Sequence, residues 1–403
     1  MPHLSANMKL LSQNRLLENG GVGEGISMQQ AADGRRILWL AHEGPPANFT
    51  AVDVTDPRRT KVVVQTRLPH MQVRSNSLEV SGNLMAVAYQ TVSVGLQPAG
   101  VELFDISTPE SPKSIAFFDC SGPHSRGVHA LWFVDGEYVH CATGFADFQP
   151  RNPLDDQFYM IIDVRNPAKP VEAGRWWLPG TRVGDAEPAP QRLSKLDAGF
   201  RAHNTNVYPQ RPDRAYVGYI DGGAVILDIA DKSTPKVVSR WNPAPPFMGF
   251  THTVLPLFSR DLLVVSEESV VDAAQDWPKL TWIVDARHEA NLVPISLCPL
   301  PAPEEFGPKG GRYGSHNLHE NHPSPLAFRS DTLIFGAYFN GGVRGFDIAD
   351  PTRPVEAASF VPEPPAGSRI NAVQINDIYV DEQATVYAVD RYAGGLYVLE
   401  LDI

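Results

Sequence analysis

The sequence predicts an all-β fold, a seven-bladed β-propeller in a single domain. Glycine (32) and proline (36) are abundant in the 403 residues, and runs with helical periodicity are scarce, as expected for many short strands joined by turns. A motif that ends a strand recurs at spacings of 52 to 65 residues. Further strand-like runs precede each copy, so that each unit holds four strands. Radial repetition of four-stranded units is typical of a propeller.

The recurring motif is an apolar residue, Asp and a second apolar residue, followed by a turn that contains proline. Examples are VDVTDPRRTKVVV at 52–64 and FDIADPTRPVEAASF at 346–360. The six acids are Asp53, Asp105, Asp163, Asp228, Asp285 and Asp347, and Glu400 occupies the same place in a seventh copy. A carboxylate here can accept hydrogen bonds from the N–H groups of the turn, and proline presets its φ. These acids are therefore expected to be structural.

The repeats place the blades at about 20–69, 74–120, 126–180, 201–243, 250–300, 314–362 and 369–403. The last copy ends after its third strand. The segment 8–16, MKLLSQNRL, can supply the missing outer strand, which would remove an exposed sheet edge. The whole chain, 1–403, is then one propeller domain.

The strings VDVTDP, IDVRNP and FDIADP resemble those of the LVIVD-repeat propeller proteins. The resemblance extends over nearly the whole chain and implies the propeller fold. It implies little about activity, because one fold serves many functions.

Aligning the innermost strands places polar residues in one slot. His129, His203, His252 and His316 occupy it in blades three to six, with Asn76 in blade two and Asn371 in blade seven. Blade one offers only Ser27 or Met28. Because equivalent residues of inner strands surround the channel axis, the four imidazoles are expected to converge. Three or four imidazoles make a competent site for a divalent ion such as Zn²⁺, Fe²⁺ or Mn²⁺.

The segment GSHNLHENH at 314–322 holds two more histidines. His319 is three positions beyond His316 and should face away from the channel in a regular strand, but it stays a candidate ligand or base. His322, His124 and His42 are weaker candidates near the bottom turn or the rim.

Arg74, Arg126, Arg201 and Arg369 each precede the slot by two or three residues and should lie on one rim, where guanidinium groups can bind a carboxylate. With Asn76 and Asn371 they form the predicted substrate-binding set. Glu268 and Glu267, at the end of a second strand, are candidate ligands or general bases. Together these residues predict a small anionic organic substrate.

Three functions follow. The first is hydrolysis of an anionic ester or lactone by metal-activated water, a reaction seen in some proteins related to LVIVD repeats. The second is oxygen activation by Fe²⁺, since the four-histidine ligand set is similar to that of the carotenoid-cleaving oxygenases. The third is a non-catalytic scaffold that binds protein partners on its rim.

Composition excludes other classes. A net charge of −12 argues against nucleic acid, whose phosphates require a basic face. The three cysteines form no CxxC pair, so neither a disulfide framework nor a thiolate zinc site is indicated. No apolar run is long enough to cross a membrane. A cytoplasmic protein is expected, and the sequence leaves its oligomeric state open.

Overall fold

Each repeat folds into an antiparallel sheet, and seven such sheets surround a central channel in a computed structural model that describes residues 4–18, 21–368 and 370–402. The middle strands, such as Arg36–His42 and Thr281–Asp285, are almost entirely buried, because neighbouring blades cover both of their faces. Outer strands such as Lys61–Arg67 are half-exposed. The predicted seven-bladed propeller is confirmed.

In blades one to four, the strands follow one another in chain order from the channel outwards. Blade one comprises Val22–Gln30, Arg36–His42, Ala47–Asp53 and Lys61–Arg67. Blade two comprises Val73–Arg74 with Leu78–Ser81, then Leu84–Thr91, Gly100–Asp105 and Lys113–Asp119. Blade three comprises Val128–Trp132, Tyr138–Thr143, Phe158–Asp163 and Val171–Trp176. Blade four comprises Thr205–Tyr208, Arg211–Gly218, Ala224–Asp228 and Lys236–Trp241.

Blade five keeps the same order, whereas blades six and seven each take a strand from the N-terminal segment. Blade five comprises Thr251–Leu257, Leu262–Glu267, Thr281–Asp285 and Val293–Leu297. Blade six comprises Leu333–Ala337, Val343–Asp347, Val355–Val361 and Leu4–Ala6. Blade seven comprises Ile375–Val380, Thr385–Asp390, Leu396–Leu401 and Met8–Asn14. The helical segments are short, namely Leu16–Glu18, Phe258–Arg260, Asp272–Ala274, Pro303–Phe306 and Gly307–Lys309.

The N-terminal segment adds strands to two blades. Met8–Asn14 pairs antiparallel with Leu396–Leu401 and is the outer strand of blade seven. Leu4–Ala6 pairs with Val355–Val361 and extends blade six, which the sequence did not predict. Both ends of the described chain are therefore hydrogen-bonded into the ring of blades.

The inner segment of blade six differs from the strand predicted at 314–320. It joins its own blade through two isolated bridges, Tyr313 to Phe339 and Leu318 to Gly336, rather than through a ladder. The His316 ring and the Asn317 amide instead bond sideways to the carbonyl of Asn376 in blade seven, at 2.6 and 3.1 Å. These side-chain bonds hold the segment at the channel wall without regular strand pairing.

The repeated acids form the expected turns. In all six, Oδ1 accepts a hydrogen bond of 2.7–3.0 Å from the N–H group two residues later; the acids are Asp53, Asp105, Asp163, Asp228, Asp285 and Asp347. These hydrogen bonds lower the pKa of Asp105 from its ordinary value. Each Asp thus stabilises the turn between the third and fourth strands of its blade. The three cysteines are buried and free.

Candidate metal centre

The inner strands share an irregularity at one level of the channel. Register shifts occur at Val22/Ile26, Val128/Ala130, Thr251/Thr253 and Ile375/Asp377. The residues inside these shifts include Glu24, His129, His252 and Asn376. A bulge leaves its extra residue unpaired and re-aims the side chain, which here turns it towards the channel.

Blade one contributes Glu24 to this level, so the expectation of Ser27 or Met28 was wrong. Two glycines flank Glu24 and permit close contact with blade two. A Cβ on Gly23 would lie 2.5 Å from the carbonyl oxygen of Asn76, and one on Gly25 would lie 2.2 Å from the amide nitrogen of Leu78. The sequence Gly-Glu-Gly was the available signal for a close backbone approach.

The four predicted histidines converge on the Glu24 carboxylate. The Nε2 atoms of His129, His203 and His252 lie 3.8, 3.7 and 3.6 Å from its Oε2. The Nε2 atom of His316 lies 3.8 Å from its Oε1. Neighbouring rings are in contact, with centroids 4.0–4.5 Å apart. The predicted ring of four imidazoles is therefore present, with a carboxylate inside it.

Hydrogen bonds on the far side of the rings set their protonation. The Nδ1–H of His316 donates to the Asn376 carbonyl oxygen at 2.6 Å, and that of His203 donates to Asn204 Oδ1 at 2.9 Å. The Asn204 amide is oriented by its donation to Glu320 at 2.7 Å. Fixing the proton on Nδ1 leaves the Nε2 lone pair directed at the channel, as in metal-binding histidines.

Several of these atoms lack hydrogen-bond partners. His252 Nε2, His316 Nε2 and Glu24 Oε2 are buried and have none within the described chain. The Nε2 atoms of His129 and His203 are only 2.8 Å apart. Buried polar groups without partners are costly, and a cation would satisfy all five atoms together. The donor set therefore fits a metal ion.

Distances agree with this fit. Two ligands that each lie about 2.1 Å from one ion are at most about 4.2 Å apart. The four Nε2 atoms lie 3.6–3.8 Å from a Glu24 oxygen, inside this limit. Two overlapping sets of possible ligands gather here, namely Glu24 with His203 and His252, and Glu268 with His252 and His316. Burial lowers the pKa of His203 to about 4 and that of His316 to about 3, so both rings are neutral at pH 7 and free to coordinate.

Glu268 lies beside the ring, as predicted for a ligand or base. Its Oε1 is 3.6 Å from His316 Nε2 and accepts a hydrogen bond of 2.7 Å from Arg312. Burial would raise the pKa of this carboxyl, but the adjacent Arg312 guanidinium outweighs burial and holds the pKa below its ordinary value. Glu268 is therefore ionised at neutral pH.

Glu267 and His319 are not at the centre, and both predictions of a catalytic role need correction. Glu267 and Glu268 are adjacent and point to opposite sides. Glu267 therefore turns away from the ring and accepts a hydrogen bond of 2.9 Å from Leu280 N–H in its own blade. Burial raises its pKa to about 7. Both ring nitrogens of His319 are engaged, Nε2 with the Phe328 carbonyl and Nδ1 with Val380 N–H.

Neither of the two asparagines predicted to bind substrate, Asn76 and Asn371, lines the cavity above the ring. Asn76 is fully buried beside Glu24, whose N–H donates to the Asn76 carbonyl at 2.6 Å, but Asn76 does not line the cavity above the ring. Asn371 is exposed in the loop before blade seven, so its assignment was wrong. The equivalent residue is Asn376, because the bulge of that strand lies five residues further on. Its amide donates to the carbonyls of Val22 and Gly23.

The weaker histidine candidates do not belong to the ring. Buried His42 bonds through its two ring nitrogens to Gly21 and Thr50. His322 lies 3.2 Å from Glu79 on the opposite side of the ring. His124 is not in the lining of either channel cavity.

A cavity of about 340 Å³ opens above the ring, and five arginines line it: Arg74, Arg126, Arg201, Arg312 and Arg391. The first three were predicted; Arg312 and Arg391 were missed, and Arg369 lies outside the described residues. Glu24, Glu268, His129 and His203 form part of the floor. The cavity therefore joins the candidate metal ligands to a wall rich in guanidinium groups.

A second cavity, of about 40 Å³, lies on the other side of the ring. Glu79, Glu320 and Asp377 line it, and Glu24 borders both cavities. Burial raises the pKa of Glu320 to about 7 and raises that of Asp377 well above its ordinary value. Of these acids, only Glu24 also lines the cavity that the arginines line.

Within the described chain, we find no helix with the length and apolarity needed to cross a membrane.

Comparison with known proteins supports the fold. The LVIVD repeat model matches residues 155–176 and 213–242, a smaller part of the chain than the strings suggested. No curated protein matches the sequence. The β-propeller domain of Myceliophteria thermophila Cps50 (Swd1) is similar in structure, with 14% identity and a TM-score of 0.55, over 94% of this chain and 96% of that one.

A chain from an S. cerevisiae complex of a dbp5 variant with nup159, a gle1 variant, ip6 and adp is also similar. It has 10% identity and a TM-score of 0.58, over 98% of this chain and 95% of that one. At such identities the similarity concerns the fold alone. The protein is a seven-bladed β-propeller that carries LVIVD repeats, with groups of His and Glu side chains that could hold a metal ion.

Proposed function

We propose that the protein is a metal-dependent hydrolase that opens a small anionic ester or lactone. The convergence of four imidazole Nε2 atoms on Glu24, with His252 and His316 lacking any partner for theirs among the described residues, carries the proposal. A divalent ion held there would polarise a carbonyl group and lower the pKa of a water molecule. Zinc and manganese suit this chemistry.

Glu268 has the position and charge of a general base. Arg312 holds its Oε1, while its Oε2 lies 3.9 Å from His203 Nε2 and 4.0 Å from His252 Nε2. This oxygen can take a proton from water at the ring and return it to the leaving oxygen. The arginines of the wall would hold the carboxylate of the substrate.

An iron-dependent oxygenase is the second candidate, favoured by the four-histidine set. The wall around the ring is rich in guanidinium and carboxylate groups rather than apolar side chains. Such a wall favours a polar, charged substrate. We therefore place the hydrolase first, with a small molecule rather than a nucleic acid or a membrane as the partner. The three free, buried cysteines are compatible with a reducing, cytoplasmic location.

Elemental analysis of the purified protein tests the metal. We expect about one zinc or manganese per chain in the wild type and loss of most of it in the His203→Ala/His252→Ala double variant. His288→Ala, which removes an exposed histidine, is the control. Equal metal content in all three proteins would reject the ring site and favour the scaffold.

Activity is then measured on carboxylate-bearing esters and lactones by acid release, with and without added metal. Glu268→Gln leaves the four imidazoles and Glu24 in place, so it should retain most of the metal and lose most hydrolysis. Iron in the wild type, together with oxygen consumption, would replace the hydrolase with the oxygenase.

A further inference from the structure

The arginines of the cavity form two pairs, each organised around one carboxylate. Arg74 and Arg391 both contact Glu43 Oε1, each at 2.6 Å. Arg126 and Arg201 share Asp156, at 2.7 and 3.5 Å. Each pair therefore holds two positive charges against one negative charge. The fifth arginine, Arg312, is neutralised by Glu268 at 2.7 Å.

The two pairs occupy different sectors of the rim. The first is built from blades seven, one and two, and the second from blades three and four. Arg74 also reaches the ring, with its Nη2 3.2 Å from His129 Nδ1. Both pairs line the cavity whose floor includes His129 and His203.

Guanidinium nitrogen atoms in both pairs make no hydrogen bond within the described chain. The Arg391 side chain is 10% exposed, and its Nε and Nη1 atoms are buried without a hydrogen-bond partner in the described chain. Arg126 uses only its Nε in hydrogen bonds among the described residues. Buried guanidinium donors normally find partners, so unpartnered ones in a cavity indicate the place of an absent acceptor. Carboxylates match the guanidinium fork.

We propose that the substrate is a dianion, with one carboxylate at the Arg74–Arg391 pair and the other at the Arg126–Arg201 pair. This inference rests on the proposed function in taking the cavity as the substrate site. The reacting ester or lactone group would then lie between the two carboxylates, above the histidine ring. Two excess positive charges, one in each sector, fit two separate anionic groups better than one.

Calorimetric binding of non-reacting ligands tests the inference without catalysis. Succinate, glutarate and adipate are compared with butyrate and inorganic phosphate, on metal-free and on zinc-loaded protein. At least one dicarboxylate should bind about 10- to 100-fold more tightly than butyrate, as expected for a second charge-assisted contact.

Single-arginine variants test the two carboxylate anchors separately. Arg391→Gln and Arg126→Gln should each lower the affinity for the dicarboxylate about 10- to 100-fold, because each removes one anchor. Each should change the affinity for butyrate by no more than about twofold, since a monocarboxylate can use the other pair. The double variant should bind neither ligand. Arg287→Gln, whose side chain is 73% exposed, is the control. Arg74→Gln tests the same pair if Arg391→Gln does not fold.

Other outcomes overturn the inference. Equal affinity for dicarboxylate and butyrate would mean that only one anchor exists. Equal losses of both ligands in each single variant, or tighter binding of phosphate, would mean that the pairs converge on one anion. The hydrolase proposal can fail on metal content or turnover while the binding pattern holds, so the two failures are distinguishable.

Discussion

Gly25→Ala is expected to displace Glu24 without changing any candidate ligand. The added Cβ would lie 2.2 Å from the amide nitrogen of Leu78 and 2.9 Å from the carbonyl carbon of Ser77, both backbone atoms of blade two. Ordinary contact begins near 3.4 Å, so blades one and two must separate by about 1 Å at this level. Glu24 lies on the strand that has to move.

The size of the effect follows from this overlap. Forcing an extra carbon into a packed interface costs about 1–3 kcal/mol. With an unfolding entropy of about 2.1 cal/mol/K per residue, the metal-free protein should melt about 1–4 °C lower. A 1 Å shift is half of a metal–oxygen bond of about 2.1 Å, so metal affinity should fall at least about 10- to 100-fold.

Differential scanning calorimetry of chelated protein measures the first effect, and competition with a zinc-binding dye measures the second. Gly44→Ala is the matched control, because a Cβ at Gly44 meets no atom within 4 Å and its φ is not positive. A Gly25→Ala protein that melts lower but binds metal normally would refute the role of Glu24. If melting is also unchanged, the close approach of the two blades is itself wrong.

Three further predictions test other parts of the structure. Chelation should lower the wild-type melting temperature, because metal at 100 times its Kd adds about 2.7 kcal/mol, while the His203→Ala/His252→Ala protein should not respond. Burial raises the Glu320 pKa to about 7 from an unfolded value near 4.5, so this carboxyl favours folding below pH 4.5 and loses that contribution as the pH rises through 7. In urea unfolding, the Glu320→Gln variant should therefore have the same free energy of unfolding as the wild type at low pH and up to about 3 kcal/mol more at pH 8. Equal pH profiles of the two proteins would contradict the raised pKa of this carboxyl. Asp347→Ala removes a turn hydrogen bond and should lower the free energy of unfolding by about 1 kcal/mol in the same assay. Its metal content should be unchanged, and a loss of metal would show that the repeat acids affect the centre.

Much of the site was predictable because it depends on the repeat. Once the copies are aligned, the fold brings His129, His203, His252 and His316 to one level, although up to 187 residues separate them. The arginines Arg74, Arg126 and Arg201 followed from the same alignment. Local spacing alone would have favoured the cluster at 314–322, of which only His316 reaches the ring.

The errors arise where strands depart from period two. Glu24 and Asn376 both lie inside register shifts, and a bulge moves a side chain to the opposite face without changing the apolar pattern around it. An alignment by strand start therefore selected Asn371 instead of Asn376. Arg312 precedes the inner segment of blade six and Arg391 follows the second strand of blade seven, both in loops where no periodicity applies.

The same irregularity turns three side chains of the ring, Glu24, His129 and His252, towards the channel. A regular inner strand alternates its side chains between its two neighbouring blades, so none would point along the shortest line to the axis. A bulge leaves one residue outside the ladder and frees its side chain to face the channel. In blade five, Thr251 and Thr253 pair with Glu267 and Ser266, and His252 between them has no partner residue in the ladder. Ladder hydrogen bonds are lost at the same level in the strands that carry Glu24 and His129, which brings these three donors together. His203 and His316 reach the same level from segments outside regular strands, before Thr205–Tyr208 and in the inner segment of blade six.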